Sequence, residues 1–514
     1  MNKNIGKAVA TIFVLSLLAK VVGFLKSIVQ ASFYGATFET DAFNVANGFV
    51  SNILYMLTMA ISVAFVPLYI QYKNESNSLD NDNKGKTFAT RIISILFLLA
   101  VFATVCFIII APVIIHIIAP SYSGHIAQLT VKYFRVLVLG FAFSLVAHMY
   151  SNLLNAEKVY GFSAFSSVIN SVVIISFAVC FQEKLGVWAL VISVPVSYFI
   201  QWIVLFLKGK NFASLSLKYG LRDDSVKKLI IQAAPVLLSQ ATVEINQVVD
   251  RALLTGINVG VLTSVSYAAV LYQFATTLIS TPLSTVMFTE MSEAGAKSDF
   301  GRIKLILRSC YKFVFIICMP VVVSMFFCSF DIVKIVYGHG KFPLSALYQS
   351  SLALQMYGLC LLPVCIKSIL NKAYYSLNDT RRPMVMGILE VIFKITLSVT
   401  LVKSFGIMGV VGSTAIASIA LIIMMLYNFN KNYFKVLDIS ELKGYWKIAI
   451  SVLCLVFVMN ISVDYYIINH YVDFIVKSIF AYAFYFGLLT VLKEEMYSAL
   501  KCKFMESVKK RFLK

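Results

Sequence analysis

Apolar residues run through this chain in long blocks separated by short polar turns, with no stretch of polar sequence long enough for a domain outside them. A membrane-spanning helix needs about 20 mostly apolar residues. Fourteen blocks satisfy this: 8–31, 42–70, 90–118, 128–154, 160–181, 185–207, 226–253, 260–289, 306–337, 346–375, 383–403, 405–428, 446–467 and 471–492. The first is followed by neither a polar c-region nor a small-residue cleavage site, so it is expected to be retained as a helix and not removed as a signal peptide.

The polar positions between the blocks alternate in charge. Basic residues collect at the N-terminus (Lys3, Lys7) and in every second loop: Lys73, Lys84, Lys86 and Arg91; Lys158; Lys208, Lys210, Lys218, Arg222, Lys227 and Lys228; Lys297, Arg302 and Lys304; Arg381 and Arg382; Lys431, Lys435 and Lys443. The tail adds Lys501, Lys503, Lys509, Lys510, Arg511 and Lys514. The intervening loops hold at most one each, such as Lys184, Lys341 and Lys403. Cytoplasmic loops carry the excess of Lys and Arg, so the pattern predicts fourteen spans with both termini in the cytoplasm.

Short matches recur at nearly one offset. Leu154-Asn155 aligns with Leu377-Asn378 at 223, Phe33-Tyr34-Gly35 with Leu254-Thr255-Gly256 at 221, and Ala64-Phe65-Val66 with Val286-Met287-Phe288 at 222. Blocks 1–6 and 7–12 therefore read as two repeats, parallel because each has an even number of spans. Transporters built this way place substrate between the repeats. The expected fold is an all-α polytopic membrane protein with two parallel six-helix lobes and two C-terminal helices. The lobes are residues 1–222 and 223–430; residues 431–514 hold the last two helices and a basic cytoplasmic tail.

Composition agrees. The chain is 60% hydrophobic and 13% charged, against roughly 25% charged in soluble proteins. Its net charge of +20 is accounted for by the basic loops, so no nucleic-acid partner is expected. Nine cysteines form no CxxC pair and read as small buried hydrophobes, implying neither disulfides nor a metal site. His116 and His148 stand alone on apolar blocks. No GxxxxGK[ST] loop occurs, which excludes ATP hydrolysis by that route.

Charges inside the blocks are the candidate chemistry. One buried mid-membrane costs about 2.5–3.5 kcal/mol on insertion scales and normally faces a wet cavity or a partner. Lys20 and Lys26 lie in block 1, with Asp41 just beyond the following turn. The two lysines suit a phosphate or pyrophosphate as point charges. Block 7 carries Glu244, Asp250 and Arg251; Glu244 and Arg251 share a face, as an internal ion pair or as a coupling-ion or substrate site. Block 10 aligns Lys367, Asn371 and Tyr374. In block 11, Glu390 and Lys394 stand at the i, i+4 spacing of a local ion pair.

The runs AKVVGFLKS, FYGA, TDAF and AFVP, between Ala19 and Pro67, then YGHGKF (Tyr337–Phe342) and YGLCLLPVCIKSILNKAYYSLNDTRRPM (Tyr357–Met384), resemble the MviN/MurJ lipid II flippases, within the superfamily of multidrug, oligosaccharidyl-lipid and polysaccharide exporters. The resemblance implies alternating access between two six-helix lobes around a cationic cavity, with helices 13 and 14 forming a groove for the polyprenyl tail. Lys20 and Lys26 stand where that family usually has cavity arginines, and Asp41 matches its TDAF aspartate. The family's helix 8 arginine is absent from the run Tyr267-Ala268-Ala269-Val270. Its basic pair in helix 2 falls on Ile53 and Leu54, and an acidic residue on Thr58. Arg251 and Lys367 are the candidates for replacement charge.

The function this implies is translocation of a polyprenyl-pyrophosphate-linked glycan, lipid II first, across the bacterial cytoplasmic membrane, without enzymatic chemistry. Lys20 and Lys26 would hold the pyrophosphate; Asp41 and Glu244 would contact sugars or compete for the lysines. Alternatives are a flippase for another lipid-linked polysaccharide unit, a cation-coupled multidrug exporter, and a non-transporting scaffold of an envelope-synthesis complex. No cofactor is expected. Sodium or protons at Glu244 or Asp250, or the membrane potential, could drive the cycle. Expected partners are the lipid-linked glycan, membrane lipids and cell-envelope synthesis enzymes.

Overall fold

A computed structural model describes residues 3–75, 84–159, 161–216, 223–436, 443–460, 470–498 and 501. Lys218 and Arg222 of the sixth loop, residues 461–467 of the thirteenth block and the basic tail beyond Lys501 lie outside them. The elements are helices: α1 (Lys3–Tyr34), α2 (Phe38–Asn74), α3 (Lys84–Ile118), α4 (Gly124–Val138), α5 (Phe141–Ala156), α6 (Phe162–Leu185), α7 (Trp188–Gly209), α8 (Asp224–Thr255), α9 (Val261–Ala296), α10 (Phe300–Phe327), α11 (Ser329–Tyr337), α12 (Leu344–Ser376) and α13 (Arg381–Asn432), then two more, Trp446–Asn460 and His470–Val491.

Among the described residues, twelve helical stretches are long and apolar enough to cross a membrane, α4 and α5 together counting as one. The 52-residue α13 counts for two, because Gly406 at φ 51°, ψ −125° breaks it into two arms. Trp446–Asn460 is a shorter apolar helix. With both arms of α13 and this shorter helix counted, the described helices are roughly consistent with the expected fourteen. Gly406 is the second residue of the twelfth block read from the sequence, next to its boundary with the eleventh, and a positive φ suits glycine. Two blocks are each split: the fourth at Leu139–Gly140, the ninth at Cys328.

The residues pack as two compact units, Met1–Thr263 with His339–Pro343, and Ser264–Gly338 with Leu344–Lys514. The helix that heads the second sequence repeat, α8, thus packs with the first unit, against α2. Repeat and packing unit are different properties of the chain, one of its sequence and one of its contacts.

In the first unit α1 packs on α6. Small residues recur on α1 at Gly23, Ser27 and Ala31; a Cβ on Gly23 would stand 4.0 Å from the Ser171 hydroxyl of α6. Such stripes let helices approach closely in lipid, where no hydrophobic force separates helix from solvent. α2 opens on a capping box: Thr37 N–H donates to Thr40 Oγ1 at 2.7 Å and Thr40 N–H to Thr37 Oγ1 at 3.4 Å. Glu39 and Asp41 lie in its first turn, where acidic groups suit the helix dipole. The His339–Pro343 strap sits on the α1–α2 turn. Lys341 N–H donates to Ser32 O at 2.7 Å, and Gly35, at φ +63°, approaches Lys341 O so closely that a Cβ would stand 2.5 Å from it.

In the second unit α12 packs between α10 and α13. The last two helices pack on each other around Val452, Leu455, Tyr485 and Leu489, together with Ile316 and Val323 of α10. Pro320 has no N–H to give the carbonyl four residues back, and the Tyr485 hydroxyl donates to that carbonyl, Ile316 O, at 3.1 Å. The first unit repeats the device: Pro112 interrupts α3, and Arg135 Nε donates to Ile108 O at 3.2 Å.

Candidate functional site

At about 100° per residue, Lys20 and Lys26 fall roughly 60° to either side of Gly23, the position that meets α6. Lys20 is exposed and Lys26 half-buried. Neither forms a hydrogen bond or ion pair among the described residues. Two ammonium groups on one apolar helix thus have no counter-charge among the described residues.

The other predicted charges of the first unit are engaged. Asp41 is 2% exposed. Gly260 N–H donates to its Oδ2 at 2.5 Å, and Thr263 donates to Oδ1 twice, from N–H at 2.8 Å and from Oγ1 at 2.6 Å. The carboxylate thereby holds the turn that begins α9, and its place in the site is as a positioning group. Burial, and then this carboxylate, push the phenol of Tyr122, in the α3–α4 turn, above its ordinary range.

Below Asp41 on the same face of α2 come Asn44, Gly48 and Asn52, at helical spacing. Asn44 Nδ2 donates to Thr263 Oγ1 at 2.9 Å and Asn52 Nδ2 to Gln247 Oε1 at 2.7 Å. Between them Gly48 admits Arg251: a Cβ there would stand 3.0 Å from the guanidinium Nε. Arg251 donates to Gln247 Oε1 at 3.4 Å and pairs with Glu244 at 3.5 Å, as the shared face predicts. Asp250 is half-buried and also engaged within the protein. The result is a polar seam between α2 and α8. Asn44, Gly48, Asn52 and Gln247 did not figure among the expected site residues; Asn and Gly repeating every fourth position in an apolar helix is the signal that marks them.

In the second unit Glu390 pairs with Lys367 of α12 at 2.6 Å and accepts from Ser418 Oγ at 3.2 Å. Its partner is therefore a residue of another helix and not Lys394 one turn away. Lys394 is 3% exposed and has contacts of its own. The Glu390 carboxylate ties α12 to both arms of α13. Asn371 is half-buried without a hydrogen bond among the described residues. Tyr374, expected on the Lys367–Asn371 face, is fully buried and donates to Met425 O at 2.9 Å. Leu54 is buried and Ile53 and Val270 half-buried; Thr58 turns its hydroxyl back to Tyr55 O at 3.1 Å.

Of the four candidate cations, Arg251 and Lys367 are thus paired with carboxylates, while Lys20 and Lys26 pair with none among the described residues. A family model described as lipid II flippase MurJ matches residues 30–485. The chain belongs to the MurJ family. Among its MurJ relatives, the probable lipid II flippase of Rickettsia prowazekii is 24% identical over 410 residues, 79% of this chain and 80% of that protein. The lipid II flippase of Burkholderia cenocepacia is 25% identical over 396 residues, 75% and 76% of the two chains. A solved structure of lipid II flippase MurJ in an inward closed conformation superposes with TM-score 0.80 at 20% identity, covering 94% of this chain and 99% of that one. An inward-facing multidrug transporter of the MATE family superposes with TM-score 0.66 at 13% identity over 82% of this chain and 97% of its own. These likenesses show the MurJ fold, and that MATE transporters share it.

Proposed function

We propose that this chain moves lipid II across the bacterial cytoplasmic membrane, with both termini on the cytoplasmic side. Family membership supports the substrate, and the alternation of basic loops supports the orientation. A pyrophosphate-linked sugar cannot cross about 30 Å of hydrocarbon unaided. It needs cations that are not already neutralised, and a path for its tail. The observation that carries the assignment is that Lys20 and Lys26 have no partner among the described residues. They hold the pyrophosphate; the Asn52–Gln247–Arg251 seam fixes α8 on α2 within the same unit, and the Lys367–Glu390 pair fixes α12 on α13 within the other. The tail follows the last two helices. Transport is alternating access, with no bond made or broken. Membrane potential, worth about 2.3 kcal/mol per charge per 100 mV, or an ion at the Glu244–Asp250 region drives return. Envelope-synthesis enzymes act before and after it.

The test is native mass spectrometry of the purified protein against the Lys20→Ala/Lys26→Ala variant. A polyprenyl-pyrophosphate glycan lost in the variant is the expected result, and its mass names the glycan. Equal occupancy in both samples would reject the lysine site.

A further inference from the structure

A cavity of about 460 Å³ lies where α3 ends and α4 begins, lined by Pro112, His116, Gln128, Lys132 and Arg135 among others. The loop pattern that puts the termini in the cytoplasm puts this end of both helices at the outer surface. Cations are scarce there by the positive-inside rule, yet Gln128, Lys132 and Arg135 present donors at i, i+4 and i+7, one face of α4. His116 adds a ring nitrogen from α3. The lining residues include no Asp or Glu, and neither Lys132 nor Arg135 pairs with a carboxylate among the described residues.

Pro112, inside α3, lines the pocket. Pro112 leaves Ile108 O without its helical donor, and Arg135 Nε takes that place at 3.2 Å. This bond tethers the guanidinium at the cavity wall through one nitrogen, leaving its terminal NH₂ groups for an anion. Beside the lining positions 112 and 116 runs a ridge of exposed apolar side chains, Phe102, Val105, Ile109, Val113 and Ile117. It extends about 22 Å along α3 at 1.5 Å per residue, longer than half of a ~30 Å hydrocarbon core.

We propose that this pocket is a second, outward station for the pyrophosphate of the transported lipid, with the polyprenyl chain lying on the α3 ridge. Two basic side chains and a histidine match a group of two or more negative charges, and a ridge that passes the bilayer midplane suits one long prenyl chain better than a pair of acyl tails. The station receives the headgroup after it leaves Lys20 and Lys26. The inference rests on the flippase reading for its ligand but on different residues for its site.

The test uses the full-length protein and a sugar-free polyprenyl pyrophosphate as probe, counted by native mass spectrometry. Wild type is expected to hold two copies. Lys20→Ala/Lys26→Ala and Lys132→Glu should each hold one, and the combined variant none. Lys132 is exposed, so its replacement leaves the fold intact, which a thermal unfolding curve checks. A single wild-type copy, lost with the α1 lysines and indifferent to Lys132→Glu, overturns the station and leaves the flippase reading standing. Loss with Lys132→Glu alone, and none with the α1 lysines, overturns the flippase site and keeps the station. Displacement of the Lys132-dependent copy by equimolar phosphatidylglycerol makes the pocket a general phospholipid site and overturns its link to transport.

Discussion

Arg251 lies across Gly48, its Nε 3.0 Å from where a Cβ would be. The side chain reaches Gln247 and Glu244 only because α2 offers bare backbone at that turn. Gly48→Ala is expected to displace the guanidinium and to cost about 1–3 kcal/mol, the usual range for overpacking. Thermal unfolding in detergent measures it. Adding Arg251→Ala removes the obstructed group, so the double variant should be less destabilised than the sum of the singles. Strict additivity would show that the two residues do not meet.

Lys367 and Glu390 form a mostly buried pair, at 2.6 Å. Removing one member strands the other, at a cost of about 3–5 kcal/mol, whereas replacing both can be nearly neutral. Lys367→Met should therefore destabilise more than Lys367→Met/Glu390→Gln, read as unfolding midpoints under matched conditions. If the double variant is the less stable, the pair is not the unit described.

Lys20 and Lys26 act as charges. Lys26→Arg is expected to keep lipid II translocation in reconstituted vesicles, and Lys26→Gln to lower it roughly tenfold or more, the effect of losing one charge-assisted hydrogen bond of about 1.5–3 kcal/mol. A glutamine variant as fast as wild type would remove Lys26 from the site.

At the α3–α8 junction the Ser225 hydroxyl donates to Asp223, and its backbone N–H and Arg91 donate as well. The hydroxyl bond first, then the backbone bond and Arg91, hold this carboxyl below its ordinary range against a partial burial that works the other way. Because the folded value lies lower than the unfolded one, near 3.9, the stabilisation is complete above that value and fades as pH falls through the folded value. The stability gap between wild type and Asp223→Asn should be flat from pH 8 to about 5 and close in stronger acid. A gap that opened toward acid would mean the shift has the opposite sign.

The span count was legible because each span must be apolar along its whole length, and Gly406 marks the turn between two spans that are continuous in hydropathy. The splits at Gly140 and Cys328 were not, since apolar sequence continues on both sides. Gly140 is shaped by a neighbour: a Cβ there would stand 2.9 Å from Pro195 Cα of α7. The same limit applies to charge. Spacing placed Glu244 and Arg251 together because both lie on α8. It proposed Lys394 for Glu390 because the i, i+4 rule sees only one helix, while Lys367 comes from α12. Asp41 stood out as an acid in the site but not as the cap of α9, since the N–H groups it serves lie 219 and 222 residues away.

The narrow stripe at Gly23, Ser27 and Ala31 also bears on how the protein is made. α1 packs chiefly on α6, and α2, α3 and the α4–α5 span are synthesised between them. Until α6 emerges, the row of small residues on the first helix lacks the neighbour it fits. The partner this stripe fits is made four spans later, so the seat of α1, the helix that carries Lys20 and Lys26, depends on a segment that follows it in the chain.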